Sequence, residues 1–357
     1  MLATCLVGRS RLATLLFFKT PDNGDIVLIS PSKSDGELEA ANLTAELYLE
    51  PSNLTTAHFV ATTSSGSTLL PRLYYTTDNG HVHEIWKDFE NGIWLHDDLH
   101  EAVGCNPDAD TKAPPPVSQC GRFCASPERR VFFADAVRHE IQILWYRDEN
   151  WFCFSPDCPP AHQEAHFVTS GNSVLYVDQH CSLQELWEDP NGKWFCRPIK
   201  LDVWPHQLAA ISNRDDDGQT IIYCGCKDGH IWELYGAEPN SPTNTKRPSS
   251  GPSTQPVVPP ALHWIKTDLS EVAGMPNDRT TLVGSKSFLA ARDCEEQRQK
   301  CIFYFNQLGH LLCLQRRVNM SLLRVLSSEC DPAISVDSVL LAGTDLVVSS
   351  GPCIRAF

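Results

Sequence analysis

A repeated unit of two short apolar strands joined by a tight turn constrains the fold of this chain more than any other feature. In the clearest copy, the stretch from Arg72 to Trp86 encloses the turn Asp78-Asn-Gly80, and glycine accepts the positive φ that hairpin turns require. The apolar residue that opens the second strand of the unit recurs at Ile26, Val82, Ile141, Leu183, Ile231 and Leu311. The steps of 56, 59, 42, 48 and 80 residues between these positions predict four-stranded propeller blades with insertions.

Helical periodicity is nearly absent, so the sequence predicts an all-β fold. We expect a six-bladed β-propeller with four-stranded antiparallel blades, forming a single domain over residues 1–357. The predicted blades span residues 1–52, 53–104, 117–165, 166–205, 206–272 and 280–335. The segment 239–260, rich in Pro, Ser and Thr, predicts a disordered insertion in the fifth blade. Residues 338–357 are expected to pair with the N-terminal strands and close the ring, with a partial seventh blade as the alternative.

The charge and composition of the chain narrow its partners. The formal net charge is −15 at pH 7 and no basic run is present, which argues against binding to nucleic acid or to an anionic membrane. No apolar stretch is long enough to span a membrane, and the N-terminal residues fit a strand better than a signal peptide. The 15 cysteines are best explained as small buried side chains in a reducing cytosol, with disulfides and a zinc site as alternatives. We therefore expect a cytoplasmic protein.

The stretch from Arg72 to Trp94 resembles a blade of the fungal fucose-specific lectins, which are six-bladed propellers. Pockets of that family combine an Arg, a Glu twelve residues later and a Trp from the following strand, so the resemblance implies a site for a fucose-type sugar formed by Arg72, Glu84 and Trp94. A guanidinium donates to neighbouring hydroxyls, a carboxylate accepts from them, and an aromatic ring covers the apolar face of a sugar. The even separation of Arg72 and Glu84 across a hairpin lets both face one pocket, and an ordinary cross-strand ion pair is the alternative.

The equivalent positions of the other five blades depart from this pattern. Their Arg-position and Glu-position residues are, in chain order, Leu15 and Leu28, Arg130 and Ile143, Ser173 and Glu185, Ile221 and Glu233, and Cys301 and Cys313. The fourth blade also keeps a Trp, at Trp194, but only the second blade keeps both charged residues. Because a carboxylate without a partner charge is costly to desolvate, we expect Glu185 and Glu233 to be solvated.

Aromatic residues and histidines form two further groups. Trp86, Trp145, Trp187 and Tyr235 recur two residues after the Glu position, which favours packing between blades. Trp86 lies next to the predicted pocket and is therefore also a candidate for ligand contact. Histidines concentrate around the second blade at His58, His81, His83, His96 and His100. No Cys or carboxylate completes a metal-binding set with them at helical spacing, so we expect surface histidines, with neither a metal nor a cofactor.

Two classes of function are compatible with this sequence. No Ser/His/Asp arrangement, phosphate-binding loop or HExxH motif is present. With most pockets turned apolar, the chain resembles the lectin-like hetero-Diels–Alder cyclases of fungal tropolone sesquiterpenoid biosynthesis. This resemblance implies a cofactor-independent enzyme that orients two small hydrophobic substrates, a tropolone-derived o-quinone methide and a humulene-type sesquiterpene. The alternatives are a fucose-binding lectin with one surviving site and a protein-binding scaffold; a homodimer, common among the family's lectins, is also an open alternative.

Overall fold

The structure is a computed structural model in which the described part of the chain forms 24 strands and three short helices. The described residues are 2–7, 13–19, 25–31, 38–50, 59–63, 71–88, 90–104, 113–118, 123–170, 173–189, 191–201, 204–212, 220–237, 263–273, 282–283, 289–294, 299–308, 311–317 and 323–327. The predicted insertion at 239–260 and the predicted closing strands at 338–357 lie outside these residues. Both therefore stay predictions.

Six four-stranded sheets, called sheets 1 to 6 in chain order, contain all of the described strands, and each uses four consecutive strands. Sheets 1 to 3 comprise β1 (Leu2–Val7), β2 (Ala13–Lys19), β3 (Ile26–Pro31) and β4 (Leu38–Asn42); β5 (Phe59–Thr63), β6 (Pro71–Thr76), β7 (Val82–Lys87) and β8 (Trp94–Asp98); and β9 (Cys124–Ser126), β10 (Arg130–Ala134), β11 (Ile141–Arg147) and β12 (Asn150–Phe154). Sheets 4 to 6 comprise β13 (Phe167–Ser170), β14 (Ser173–Val177), β15 (Leu183–Glu188) and β16 (Trp194–Ile199); β17 (Pro205–Ser212), β18 (Thr220–Cys226), β19 (Ile231–Ala237) and β20 (His263–Asp268); and β21 (Leu289–Cys294), β22 (Gln299–Phe305), β23 (Leu311–Arg317) and β24 (Leu323–Ser327).

The three helices follow the last strands of sheets 1, 2 and 5. They are α1 (Leu43–Glu46), α2 (Leu99–Gly104) and α3 (Leu269–Val272). Each begins after a residue whose side chain accepts from backbone N–H groups of the first helical turn: Asn42, Asp98 and Asp268. A side chain in each helix also accepts from the first backbone N–H of the third strand of its sheet. The three bonds join Ile26 N to Thr44 Oγ1 (2.7 Å), Val82 N to His100 Nδ1 (3.0 Å) and Ile231 N to Ser270 Oγ (3.0 Å).

The described residues divide into two compact units. One contains Met1–Thr169, Tyr176–Cys181 and Leu326–Phe357, and the other contains Ser170–Leu175 and Ser182–Val325. In the first unit, side chains of sheets 1 and 2 share one apolar core and side chains of sheets 2 and 3 share another. In the second unit, sheets 5 and 6 share a core. Sheet 2 contributes to two cores because side chains of a strand alternate between faces: Leu73 and Tyr75 face sheet 1, while Tyr74 faces sheet 3. The single domain over residues 1–357 stays a prediction.

The cysteines of the described sheets are consistent with a structural role. The thiols of Cys124, Cys224 and Cys226 are free and buried, and burial raises the pKa of all three. These three cysteines therefore behave as small buried side chains, as the sequence predicts. Among the described residues, no helix has both the length and the apolar character required to cross a lipid bilayer.

Candidate functional site

The second sheet brings together the charged pair that the sequence places twelve residues apart. Arg72 Nη1 donates to Glu84 Oε1 at 2.6 Å, and the Glu84 side chain is fully buried. The hydroxyl of Tyr74, which lies opposite Glu84 in the register of β6 and β7, donates to the same oxygen at 2.8 Å. Burial and the Glu84 carboxylate raise the pKa of Tyr74 well above its usual value, so its hydroxyl remains a donor.

A second guanidinium, from Arg129, also binds this carboxylate. Arg129 Nη2 donates to Glu84 Oε2 at 2.5 Å and Arg129 Nε donates to Oε1 at 3.3 Å. The guanidinium carbon lies 3.5 Å from the ring centre of Tyr146, 5.1 Å from that of Trp151 and 5.8 Å from that of Trp86. The cation is therefore held by a carboxylate on one side and aromatic rings on the other. We call Arg72, Glu84 and Arg129, with the rings of Trp86, Tyr146 and Trp151, the sheet 2 site.

Trp94 does not belong to this site, so the predicted grouping of Arg72, Glu84 and Trp94 is wrong. Trp94 pairs with Lys87 in the register of β7 and β8, which places it on the opposite face of the sheet from Glu84. It is 8% exposed and packs edge-on against Phe17 of sheet 1, with ring centres 6.3 Å apart. Trp86 does share the face of Glu84, and it is half-buried.

The fourth sheet contains a second buried carboxylate with an arginine partner. Arg197 Nε donates to Glu185 Oε2 at 2.8 Å, Arg197 Nη2 lies 2.8 Å from the same oxygen, and the Ser173 hydroxyl donates to Oε1 at 3.1 Å. The Arg197 guanidinium carbon lies 4.8 Å from the Trp187 ring centre, and Trp187 stacks on Phe195 at 5.7 Å. We call Ser173, Glu185, Trp187 and Arg197 the sheet 4 site.

This pair corrects the prediction that the remaining Glu residues are solvated. Glu185 and Glu233 are each only 6% exposed. A comparison of the second strands of the blades misses Arg197, because Arg197 lies on the fourth strand, directly opposite Glu185 in the register of β15 and β16. A buried carboxylate needs a nearby cation, but the strand that supplies the cation is not fixed.

The third sheet lacks a carboxylate at the equivalent position. Arg130 pairs in register with Trp145, as Arg72 does with Trp86, and its guanidinium lies 4.9 Å from the Trp145 ring centre. Ile143, in place of the Glu, is fully buried. Sheet 3 therefore places an arginine against an indole, but an isoleucine stands where sheets 2 and 4 have the glutamate.

His83 and His100 of the second sheet are largely buried, so the prediction of surface histidines is wrong for these two, whereas the His81 side chain is 34% exposed. His100 is 6% exposed, and burial, the largest cause, lowers the pKa of His83 and of His100 to about 4. Four imidazoles form two parallel stacks, His81 on His100 at 4.5 Å and His83 on His96 at 5.1 Å. His58 lies outside the described residues.

His81, Asp98 and His100 are the one group among the described residues with metal-ligand atoms close together, within 4.8 Å. His81 Nδ1 bonds to Asp98 Oδ2 at 2.9 Å. Both nitrogens of His100 are engaged, because Nδ1 accepts from Val82 N and Nε2 therefore donates to the Pro115 carbonyl oxygen at 3.1 Å. The His81 and His100 rings are also parallel to within 2°, so their in-plane lone pairs do not converge on one ion. This arrangement fits a hydrogen-bonded network better than a metal centre.

Buried donors without partners accompany both charged sites. Among the described residues, Arg72 Nε and Trp151 Nε1 at the sheet 2 site, and Trp187 Nε1 at the sheet 4 site, have no hydrogen-bond acceptor. Leaving such a donor unsatisfied costs about 1–3 kcal/mol. A ligand rich in acceptor oxygens would recover part of this free energy.

Comparisons with known proteins bear on the fold. No protein-family model and no curated protein matches the chain. Among solved structures, AofleA from Arthrobotrys oligospora is 14% identical, and the match covers 91% of this chain and 86% of that one with a TM-score of 0.54. The lectin of Aleuria aurantia, described as a fungal lectin with a six-bladed β-propeller fold, is 13% identical over 91% of this chain and 93% of that one, with a TM-score of 0.54. A point mutant of the same lectin has been solved in complex with α-methyl-L-fucoside.

These matches and the six four-stranded sheets define the fold class. The chain is an all-β protein with the fold of the six-bladed β-propeller lectins, as the sequence predicts. At 13–14% identity the likeness concerns the fold alone. The function therefore depends on the chemistry of the two sites.

Proposed function

We propose that the protein is a carbohydrate-binding lectin for L-fucose-type sugars and that the sheet 4 site binds the sugar. One observation carries the proposal: two sheets place a buried carboxylate, bonded to a guanidinium beside an indole, at one register position. Glu84 and Glu185 are each the third residue of the third strand, and Trp86 and Trp187 each follow two residues later. The recurrence favours a ligand-binding role inherited by both repeats over two unrelated ion pairs.

The chemistry of this set suits a sugar. The forked guanidinium of Arg197 donates to vicinal hydroxyls, and the Glu185 carboxylate accepts from a hydroxyl. An indole offers an apolar surface to the C–H face and the methyl group of a deoxy sugar. The lectin of Aleuria aurantia, which has this fold, binds α-methyl-L-fucoside, and we extend that ligand class to this chain as part of the proposal.

The sheet 4 site is the better candidate of the two because it is more accessible. The Arg197 and Glu185 side chains are 20% and 7% exposed, against 9% and 0% for Arg72 and Glu84. Among the described residues, Glu185 Oε1 accepts only from the Ser173 hydroxyl, a partner that a sugar hydroxyl can replace at little cost.

The proposal is tested by titrating α-methyl-L-fucoside into the full chain and following tryptophan fluorescence. We expect saturable binding that Arg197→Ala and Glu185→Gln each weaken at least tenfold. Arg138→Ala is the matched control, because Arg138 belongs to neither site and forms an exposed ion pair with Glu140 at 3.7 Å. No binding by the wild type, or equal affinities for wild type and Arg197→Ala, would contradict the proposal.

The cycloaddition predicted from the sequence stays a prediction, as does the enzymatic interpretation that depends on it. That prediction rests on the loss of the charged pair from five of the six blades, and the Arg197–Glu185 pair of sheet 4 departs from it. A second arm of the experiment addresses it: the protein is mixed with a reactive o-quinone methide and humulene. The lectin proposal expects the product ratio and stereochemistry of the uncatalysed reaction, and a changed ratio would support the cyclase prediction instead.

A further inference from the structure

Arg129 fills the place on Glu84 that a ligand hydroxyl would need. We propose that Arg129 is a built-in competitor that keeps the sheet 2 site closed, so that this site accepts a sugar only after the Arg129 guanidinium leaves Glu84. The inference rests on the proposed function, because it assigns the same ligand class to a second site and names the residue that controls access to it.

Three side chains occupy most of the acceptor capacity of Glu84 in the closed arrangement. Glu84 Oε1 accepts from Arg72 Nη1, Tyr74 Oη and Arg129 Nε, and Oε2 accepts from Arg129 Nη2. A carboxylate oxygen has two lone pairs, so Oε1 is fully used, while Oε2 keeps one. Because the Glu84 side chain is fully buried, a sugar hydroxyl can reach it only when a guanidinium group moves away, and Arg129 is more exposed than Arg72.

Arg129 is placed to leave without disturbing the sheet. It lies in the turn between β9 and β10, with a φ of 57°, and its backbone N–H donates to the Ser126 carbonyl at 3.2 Å. Its side chain is 16% exposed, the most exposed of the three charged groups of the site. Rotation about side-chain bonds would carry the guanidinium outward while the turn keeps its backbone bonds.

The surroundings of the guanidinium match what a sugar requires. Tyr146 and Trp151 lie against the cation, and removal of the cation would expose their faces to a ligand. Trp151 is 3% exposed, and its Nε1 is a buried donor without an acceptor among the described residues. A ligand oxygen in this place would supply that acceptor.

The adjacent arginine provides an internal contrast. Arg130 occupies the position that aligns with Arg72, and its guanidinium lies on the Trp145 ring. The cation that joins Arg72 on the Glu84 carboxylate is instead Arg129. A matched substitution at Arg130 therefore removes the same charge from the neighbouring position while leaving the bonds between Arg129 and Glu84 in place.

The experiment measures α-methyl-L-fucoside affinity in an Arg197→Ala background, which silences the sheet 4 site. Three chains are compared: Arg197→Ala alone, Arg197→Ala with Arg129→Gln, and Arg197→Ala with Arg130→Gln. We expect the Arg129 variant to bind at least tenfold more tightly than the other two. Guanidinium chloride, added at a concentration too low to unfold the protein, should compete with the sugar in the Arg129 variant. The free guanidinium ion can bind to Glu84 where the Arg129 side chain binds in the wild type.

The outcomes separate this inference from the proposed function. If the Arg129 variant binds no better than Arg197→Ala alone, Arg129 is not a competitor and the inference is overturned, whatever the wild type does. If the Arg129 variant binds while the wild type does not, the inference stands and the assignment to the sheet 4 site fails. Arg129→Gln keeps amide donors beside Glu84. The thermal unfolding of Arg129→Gln is compared with that of Arg129→Ala. This comparison shows whether a loss of binding reflects a loss of folding.

Discussion

Sheets 2 and 4 each bury a glutamate at the same position of the repeat, but different strands supply the arginine that pairs with it. In sheet 2, the arginine comes from the second strand and an acid, Asp97, lies opposite Glu84 on the fourth strand. In sheet 4, the second strand supplies only the hydroxyl of Ser173, and Arg197 lies opposite Glu185 on the fourth strand. A buried carboxylate thus requires a cation within reach, while its place in the repeat can change.

The two sheets also differ in how much the Arg–Glu pair contributes to the stability of the fold. Glu84 is fully buried and bonded to two guanidinium groups, whereas Glu185 is bonded to one guanidinium whose side chain is 20% exposed. We infer that the sheet 2 pair mainly stabilises the packing of sheets 2 and 3, while the sheet 4 pair remains accessible to a ligand. This difference can be measured with substitutions and pH changes that lower the stability of one sheet more than that of another.

The largest losses of stability are expected from removing the two arginines. Arg72→Met should lower the free energy of unfolding by about 3 kcal/mol, because it leaves part of a fully buried carboxylate uncompensated. Arg197→Met should cost less, about 2 kcal/mol, because the Arg197 side chain is 20% exposed and water can enter the space it leaves beside Glu185. Urea unfolding of both variants and the wild type provides the measurement. Equal losses would show that burial does not distinguish the two pairs.

Acid should destabilise sheet 2 through its histidines. The folded-state pKa of His100 is about 4, below its value of about 6.5 in an unfolded chain, so the unfolded state binds the proton more tightly. Its contribution is complete above pH 6.5 and is lost as the pH falls towards 4, by about 3 kcal/mol for this group alone.

Sheet 5 provides the matched variant for this prediction. Where sheet 2 has His100, sheet 5 has Ser270, which makes the equivalent bond to the first N–H of the third strand without titrating. His100→Ser should therefore reduce the difference in unfolding free energy between pH 7 and pH 4.5, with His83 accounting for much of the remainder. A difference unchanged by the substitution would place the acid sensitivity elsewhere.

Two hairpin glycines should respond unequally to the same substitution. Gly80 in sheet 2 and Gly192 in sheet 4 both have a φ of 82°, so alanine strains either backbone by about 1 kcal/mol. A Cβ at Gly80 would also lie 2.8 Å from Pro116 Cβ, while at Gly192 the nearest atom is 3.6 Å away. Gly80→Ala should therefore cost about 2–3 kcal/mol and Gly192→Ala about 1 kcal/mol in urea unfolding. Similar costs would contradict the close approach at Gly80.

The smallest effect is expected at Asp97. Burial, and then the nearby Glu84 carboxylate, raise the pKa of Asp97, so its negative charge is unfavourable in the folded state. Asp97→Asn should stabilise the protein at pH 7 by a few tenths of a kcal/mol, since the group is partly solvated. Thermal unfolding at pH 7 and at pH 4 checks this prediction: the gain should shrink at the lower pH, where Asp97 is partly protonated.

The sequence predicted the repeat well because the signal is local. All six apolar markers, from Ile26 to Leu311, are the first residue of the third strand of a sheet. Each marker follows a short hairpin, so strand alternation and turn chemistry suffice to place it. The meeting of Arg72 with Glu84 follows from the same short-range geometry.

The sequence failed where position depends on longer connections. The face that Trp94 occupies is set by the register across the loop between β7 and β8, and a change of one residue reverses it. Arg129 reaches Glu84 from another sheet, 45 residues away along the chain. The burial of His100 likewise depends on the Pro115 carbonyl and on Val82, contacts that no local pattern indicates.

Isothermal titration of α-methyl-L-fucoside into wild type and Arg129→Gln, fitted for the number of sites per chain, tests the contrast between the two sheets most directly. We predict one site in the wild type, at sheet 4, and two in Arg129→Gln, where the sheet 2 site is open. Two sites in the wild type, or no additional site in Arg129→Gln, would contradict the account.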